Sequence, residues 1–199
     1  GEALDDVEFV KKTIADVLAA NKTDIELTLS ASAGEDVFQA IRESFEGVTA
    51  GSINLTLKGC ETIPEEAFKR MSQLKSVKMP DVKEIKKYAF SECTYLTAVE
   101  APSLNKLYSG AFTECSQLSK LTFGPIDYAD ARNWPVVENC QNINLILSDY
   151  QKEMIETNSY LYTANNDRDY ADSDEHKNVK FLGWKFKSIT CRGIKYPKD

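Results

Sequence analysis

The amino-acid sequence predicts an α/β fold, a right-handed β/α solenoid whose coils have about 22 residues each. Apolar residues recur in register between positions 63 and 126, where Phe68, Phe90 and Phe112 follow one another at a constant spacing. After each phenylalanine, apolar and polar residues alternate as they do in a half-buried strand. One such unit cannot bury its own apolar side chains, so the units must stack on one another.

We expect residues 1–199 to form a single domain with three parts. The parts are a helical N-terminal cap over residues 1–22, the repeats over 23–148 with the most regular stretch at 63–126, and an acidic loop with an aromatic C-terminal cap over 149–199.

The chain opens with a predicted amphipathic helix over residues 4–20. Its apolar face consists of Leu4, Val7, Val10, Ile14, Val17 and Leu18. Asp5, Asp6 and Glu8 lie in the first turn, where the helix macrodipole favours acidic side chains. We expect this helix to cover the first coil, because an open solenoid end would expose its core.

A longer first coil precedes the regular repeats. Its predicted elements are a strand over residues 24–29, a helix over 35–46 that stops at Gly47, and a strand over 53–57. Leu55 and Leu57 repeat the spacing of Leu27 and Leu29, so we expect Leu27 to pair with Leu55 and Leu29 to pair with Leu57.

In each regular repeat, we expect a strand with a short helical turn before it. The strands follow the pattern L-x-x-L-x-L at residues 74–79, 96–101 and 118–123, with Val77 and Met79 inward and Lys78 outward. The helical turns carry the Ala-Phe pairs. Thr62 and Glu65 have capping-box spacing, and Pro64 suits a first helical turn.

After Phe123 the repeat loosens, and Gly124 stands where Pro80 and Pro102 stand earlier. We expect a last strand at residues 143–147, a short helix over about 149–157 capped by Ser148, and a polar loop around 165–175. Phe181, Trp184, Phe186 and Ile189 predict a closing strand over the far end.

The repeat unit I-x-x-x-A-F-x-x-C-x-x-L-x-x-V-x-x-P resembles the BspA-like leucine-rich repeats of bacterial surface proteins. The resemblance is close over residues 63–126 and degenerate over about 25–62 and 127–147. It implies a leucine-rich repeat solenoid that binds another protein, does not catalyse a reaction, and is exported or displayed on a bacterial cell surface. It does not extend to residues 1–20 or 149–199.

Composition narrows the function. The net charge of −7 argues against nucleic-acid binding, which needs a basic surface, and no apolar run is long enough to insert into a membrane. The chain opens on Gly1 rather than Met, so the lack of a secretory leader carries no information. We expect a monomer.

The five cysteines form no C-x-x-C pair, which argues against a zinc or thioredoxin-type site. Cys93 and Cys115 take the repeat position of Met71, so we expect them to be buried free thiols that fill space.

The sequence offers no catalytic or cofactor-binding residues. His176, the only histidine, lies in the polar loop, and no G-x-S-x-G, H-E-x-x-H or phosphate-binding glycine motif occurs. Asn165, Asp167 and Asp169 begin like an EF-hand, but Tyr170 replaces the glycine and His176 replaces the bidentate glutamate. A solvated acidic loop is the preferred interpretation, and an irregular Ca²⁺ site is the alternative.

The candidate site is a surface formed by outward strand residues. One predicted row contains Thr28, Thr56, Lys78, Glu100, Thr122 and Ile146, and the other contains Glu26, Asn54, Ser76, Ala98, Lys120 and Asn144. The proposed partner-binding residues are Asn54, Thr56, Ser76, Lys78, Glu100, Lys120, Thr122 and Asn144. Simple solvation of these residues is one alternative, and a patch formed by Tyr88, Tyr95 and Tyr108 is another.

The preferred function is therefore a non-catalytic protein-binding module with no cofactor. A structural or spacer domain of a larger surface assembly, with no ligand of its own, is the main alternative. A small hydrolase is a third.

Overall fold

A computed structural model describes residues 4–130, 135–140, 142–148, 179–181 and 184–196. Two helices and sixteen strands lie in these ranges. The helices are α1 (Val7–Ala19) and α2 (Glu35–Ser44). The strands are β1 (Asp24–Thr28), β2 (Ile53–Lys58), β3 (Thr62–Ile63), β4 (Leu74–Lys78), β5 (Glu84–Ile85), β6 (Ala98–Ala101), β7 (Lys106–Tyr108), β8 (Phe112–Thr113), β9 (Lys120–Phe123), β10 (Tyr128–Asp130), β11 (Val137–Glu138), β12 (Asn144–Leu147), β13 (Val179–Phe181), β14 (Trp184–Phe186), β15 (Ser188–Cys191) and β16 (Ile194–Tyr196).

The predicted N-terminal helix is present, but it begins later than expected. The Asp6 side chain accepts a hydrogen bond from the Phe9 backbone N–H at 2.8 Å and so fixes the first turn. Val10 and Ile14 are buried, as predicted, while Leu4 precedes the helix and is 42% exposed. The predicted role of Leu4 on the buried face is therefore wrong, because the cap at Asp6 leaves it outside the helix.

The main sheet has eight strands in the order β1-β2-β4-β6-β9-β12-β15-β16. Its strands run parallel from β1 to β15, and β16 pairs antiparallel with β15. Between β4, β6 and β9 each residue pairs with its equivalent in the next repeat, for example Val77 with Val99 and Val99 with Leu121. The predicted solenoid and its repeat length are thus confirmed.

The predicted pairing of the first coil is wrong by two positions. Leu27 pairs with Leu57 rather than with Leu55, and Thr28 pairs with Lys58 rather than with Thr56. A shift by two positions keeps every side chain on the same face of the sheet, so alternation alone could not distinguish the two registers.

The predicted helical turns before the strands are also wrong. The residues between β3 and β4 form successive turns, in which Ala67 N–H donates to Pro64 O at 3.1 Å while Phe68 N–H donates to Ala89 O on the next coil at 2.7 Å. Alternate N–H groups thus bond within the turn and between coils. A helix would keep all of them within its own segment.

These inter-coil bonds add sheets that the sequence analysis did not predict. Short strands form a four-stranded sheet, β10-β7-β5-β3, and a two-stranded sheet, β11-β8. Thr62 and Ile63 belong to β3, so Thr62 does not cap a helix. Strands of two or three residues are too short to show alternation in a sequence.

The core contains a continuous column of phenylalanine rings. The Phe68 and Phe90 ring centroids are 5.2 Å apart, and those of Phe90 and Phe112 are 5.4 Å apart with an interplanar angle of 5°. Phe38 of α2 packs edge-on against Phe68, and Phe123 of β9 packs against Phe112. The expected stacking of these rings is confirmed.

The C-terminal strands extend the main sheet. β15 adds parallel to β12, β16 adds to β15, and Phe186, Ile189 and Tyr196 are buried. The prediction of a single closing strand is wrong in its extent, because Ile189 lies in β15 while Phe181 lies in β13 and Trp184 and Phe186 lie in β14. The predictions for the helix over 149–157, the acidic loop around 165–175 and His176 lie outside the described residues.

Candidate functional site

The outward side chains of the main sheet form two rows, which we call the strand face. The first row is Asp24, Asn54, Ser76, Ala98, Lys120, Asn144 and Ser188, of which Ser188 is buried. The second row is Glu26, Thr56, Lys78, Glu100, Thr122, Ile146 and Thr190. All eight predicted partner-binding residues lie in these rows, on the strands β2, β4, β6, β9 and β12.

The ends of the rows differ from the prediction. Thr28 was expected beside Thr56, but Glu26 takes that position because β1 is shifted by two positions against β2. Ser188 and Thr190 on β15 were missed, although their alternation with the apolar Ile189 and Cys191 is visible in the sequence.

Hydrogen bonds order the short polar side chains of the first row. Ser76 Oγ donates to Asn54 Oδ1 at 2.7 Å, and Asn54 Nδ2 donates to Asp24 Oδ1 at 2.9 Å. At the other end, Ser188 Oγ donates to Asn144 Oδ1 at 2.7 Å. These bonds hold the amide groups in fixed orientations before any partner arrives.

A shallow groove of about 440 Å³ lies on this face over β1, β2 and β4. Its lining consists of Asp24, Ile25, Glu26, Asn54, Leu55, Thr56, Ser76 and Lys78. Between Glu26 and Lys78 the second row has the short Thr56, and the first row has Asn54 and Ser76. The depression therefore follows from short side chains between longer ones.

Charged residues in the middle of the strand face stay unpaired. Lys78 and Glu100 are direct register partners, and Lys120 lies on the next strand, yet none of the three is in an ion pair with any described residue.

Elsewhere on the solenoid, opposite charges on neighbouring coils do pair. Lys83 Nζ lies 3.2 Å from Glu61 Oε1, and Arg70 Nε lies 2.7 Å from Glu92 Oε2. In both pairs, as in Lys78 and Glu100, the two residues are equivalents in successive repeats. Lys78, Glu100 and Lys120 are thus charges of the strand face that no described residue neutralises in an ion pair.

The chain matches one known protein family over more than half of its length. Residues 41–166 match the family described as BspA type leucine rich repeat region, with six copies of the repeat. The chain belongs to the BspA-type leucine-rich repeat family. No curated protein and no solved structure gives a significant match.

The cysteines of this BspA-type repeat protein are packing residues. All five are free thiols, as predicted for Cys93 and Cys115. Cys93 Sγ donates to Phe68 O and Cys115 Sγ donates to Phe90 O, both at 3.0 Å. Burial raises the pKa of Cys93 to about 12, and burial with the nearby Asp81 raises the pKa of Cys60 to about 12. Both thiols are therefore protonated at neutral pH, which argues against a nucleophilic role for either.

The three outward tyrosines of the BspA-type repeats have different neighbours. The Tyr88 ring covers Gly110, the Tyr95 ring lies against Gly51, and the Tyr108 ring is 5.6 Å from that of Tyr128. No two of the three predicted tyrosines are in ring contact within the described residues. Burial and a hydrogen bond with Glu84 raise the pKa of Tyr108 to about 12.

The described ranges contain no group of three or more His, Cys, Asp or Glu residues that could hold a metal ion. The acidic segment that includes Asn165, Asp167, Asp169, Asp172, Asp174 and Glu175 falls outside these ranges, so the Ca²⁺ alternative stays untested. No helix in the described part of the chain is long and apolar enough to span a membrane.

Proposed function

We propose that this BspA-type repeat protein is a non-catalytic protein-binding module that uses its strand face. The observation that carries the proposal is the set of charges at Lys78, Glu100 and Lys120, which lie on three adjacent strands and form no ion pair with a described residue. Unpaired charges on a rigid sheet give a partner fixed points for complementary contacts, which set binding rate and specificity.

The preorganised polar side chains support the same conclusion. Asn54, Ser76 and Asn144 already hold their hydrogen-bonded positions, so a partner would not need to order them. Thr56 and Thr122 add small hydroxyl groups between the charges. Such a surface suits a polar protein contact of modest affinity, because it lacks the buried aromatic anchors of the tightest interfaces.

Export to a bacterial cell surface is part of the proposal, and it rests on the family. The full reading frame offers a direct test: a secretory or lipoprotein leader ahead of Gly1 would support export. A reading frame that begins without one would argue for another compartment.

Capture from extracts tests the strand face. The wild-type protein and the variant K78A/E100A/K120A would be used as baits in bacterial and host extracts. We expect the variant to lose the specific partner at an unchanged melting temperature, because all three side chains are partly or fully exposed.

A matched control removes the same charges from another side of the solenoid. The variant E61A/K83A/K106A also loses two lysines and one glutamate, but from the edge of β3, β5 and β7. We expect it to retain the partner. If all three baits retain the same proteins, the strand face is not the binding surface; if the wild type retains nothing specific, a spacer domain without a ligand is the better description.

A further inference from the structure

A line of short side chains, which we call the trough, runs across the strands of the strand face. In the first row the side chains between Asp24 and Lys120 are short: Asn54, Ser76 and Ala98. The second row beside them has the longer Lys78 and Glu100, and the groove over β1, β2 and β4 is the beginning of the trough. An elongated partner segment would therefore lie across the strands, above the line between the two rows.

Charges follow one another along this trough in alternating order. Asp24 is on β1, Lys78 on β4, Glu100 on β6 and Lys120 on β9, and none of the four is in an ion pair with a described residue. Neighbouring strands are about 4.8 Å apart, so the last three charges lie about 10, 14 and 19 Å from Asp24 along the trough.

An α-helix matches these distances on one of its faces. With a rise of about 1.5 Å per residue, helix positions i, i+7, i+11 and i+14 lie at about 0, 10, 17 and 21 Å, within reach of flexible side chains. At about 100° per residue these four positions fall within roughly 60° of one another around the helix axis. Complementary side chains at these positions can therefore meet all four charges at once.

An extended segment does not match. At about 3.3 Å per residue it reaches the same distances at positions i, i+3, i+4 and i+6. Its side chains alternate between two faces, so the side chain at i+3 points away from the other three. One of the four charges would then be left without a partner.

We propose that the strand face binds an α-helix of the partner whose exposed face carries a basic, an acidic, a basic and an acidic residue at i, i+7, i+11 and i+14. The basic residue at i lies over Asp24 and the acidic residue at i+14 lies over Lys120; a helix of the opposite polarity carries the same order reversed. Small side chains between the charges fit the shallow floor at Ser76 and Ala98. This inference rests on the proposed function, because it specifies the partner of the same surface.

Synthetic helical peptides test the inference. Two peptides, one for each polarity, would carry the matching charges on alanine, with a covalent staple on the opposite face. A length of about 20 residues includes all four positions at a rise of about 1.5 Å per residue. Each control peptide has the same composition and net charge, but every acidic residue is exchanged with a basic one. Binding would be measured by fluorescence anisotropy at low salt, where surface charge pairs are least screened.

We expect the wild-type protein to bind one matching peptide about tenfold more tightly than its exchanged control. The variant D24K/K78E/E100K/K120E should show the opposite preference, and both preferences should shrink as salt is raised. Circular dichroism of the variant checks that it is folded. Equal affinity for both peptides, no measurable binding of any peptide to the wild type, or a variant that keeps the wild-type preference would overturn the inference.

The capture experiment distinguishes a failure of the helix-binding inference from a failure of the proposed function. If K78A/E100A/K120A loses its captured partner while no matching peptide is preferred, the strand face is the binding surface but its partner is not such a helix. If the capture is unaffected by that variant, the proposed function itself is wrong.

Discussion

Glu66, Tyr88 and Gly110 occupy the same turn position on successive coils, and their φ angles are 59°, 56° and 70°. This left-handed conformation costs an L-residue about 1 kcal/mol, so the backbone is modestly strained at Glu66 and at Tyr88. At Gly110 a second constraint applies. A Cβ there would lie 2.3 Å from the Tyr88 ring of the preceding coil.

Replacement of Gly110 by alanine should therefore destabilise the protein by roughly 2–4 kcal/mol, from the left-handed φ and the clash with Tyr88 together. Gly47→Ala is the matched control, because Gly47 has a φ of 77° and no atom within 4 Å of its added Cβ. It should cost only about 1 kcal/mol. Urea unfolding measures both. A loss at Gly110 no greater than that at Gly47 would show that the Tyr88 ring moves aside freely.

Close approach of two coils also explains Gly124, which the repeat pattern alone does not predict. A Cβ at this position would lie 2.6 Å from the carbonyl oxygen of Pro102 on the preceding coil. The glycine therefore follows from a backbone contact between coils, which a repeat pattern does not contain.

The buried thiol of Cys93 should make stability depend on pH in the alkaline range. Its pKa rises from 9.0 to about 12 on folding, so the unfolded chain loses this proton first. The contribution of this thiol to stability is therefore fully present below about pH 9. Between about pH 9 and pH 12 this one thiol should lower the free energy of unfolding by about 1.4 kcal/mol per pH unit.

Urea unfolding of wild type and Cys93→Ala under reducing conditions, between about pH 8 and pH 11, measures this effect. Cys93→Ala removes a packed side chain and so lowers the free energy of unfolding at every pH. Above pH 9, however, the free energy of unfolding of the variant should fall less steeply than that of the wild type, because one titrating proton has been removed. Parallel declines in the two proteins would contradict the buried, neutral state of Cys93.

At the scale of elements, the periodicity of the sequence predicted the main sheet, but it did not predict the turns and short strands that connect the strands of that sheet. The strands β4, β6 and β9 are long enough to alternate, so their faces and their register followed from the sequence. The register of β1 against β2 could not be predicted from the sequence, because pairing Leu27 with Leu55 or with Leu57 buries the same side chains. The stretch before each strand contains a good helix pattern, but inter-coil hydrogen bonds override that local preference.

The position of the candidate site could be predicted from the sequence, but the pairing of its charges could not. All ten residues of the two rows between β2 and β12, including the eight proposed partner-binding residues, followed from alternation and repeat length. The sequence does not predict that Lys78 and Glu100 form no ion pair with each other, because Lys83 and Glu61 have the same spacing and do form one. Spacing brings charges together, while side-chain conformation decides whether they pair.

The phenylalanine column makes one element-scale prediction. Phe90 is fully buried between Phe68 and Phe112, so Phe90→Ala removes contacts on both sides and should cost about 3–5 kcal/mol. Phe9→Ala is the control, because Phe9 on α1 is 54% exposed and should change stability by less than about 0.5 kcal/mol. Chemical denaturation measures both, and a cost below about 1 kcal/mol for Phe90→Ala would mean that its ring is not part of the column.

For the whole molecule, stability depends on how the stack ends as well as on its repeats. Each coil buries its apolar residues against the next, so the first coil needs a cover that is not a repeat. Helix α1 fills this role through Val10 and Ile14, and Lys11 Nζ lies 2.8 Å from Glu43 Oε2 of α2. The Asp5 carboxylate accepts a hydrogen bond from the Ser30 backbone N–H at 3.0 Å and ties the start of the chain to the end of the first strand.

Deletion of residues 1–22 should therefore uncover apolar side chains of the first coil, among them Ile25 and Ile41, which are buried in the complete protein. We expect a lower melting temperature, increased binding of an apolar dye, and association that grows with protein concentration, because an uncovered apolar end is available to a second molecule. Differential scanning calorimetry, dye fluorescence and size-exclusion chromatography measure these effects. The variant K12A/D16A removes an exposed ion pair from α1 but keeps its apolar face, so it should behave as wild type. A truncated protein that stays monomeric and melts at the wild-type temperature would show that the coils close their own end and that α1 has another purpose.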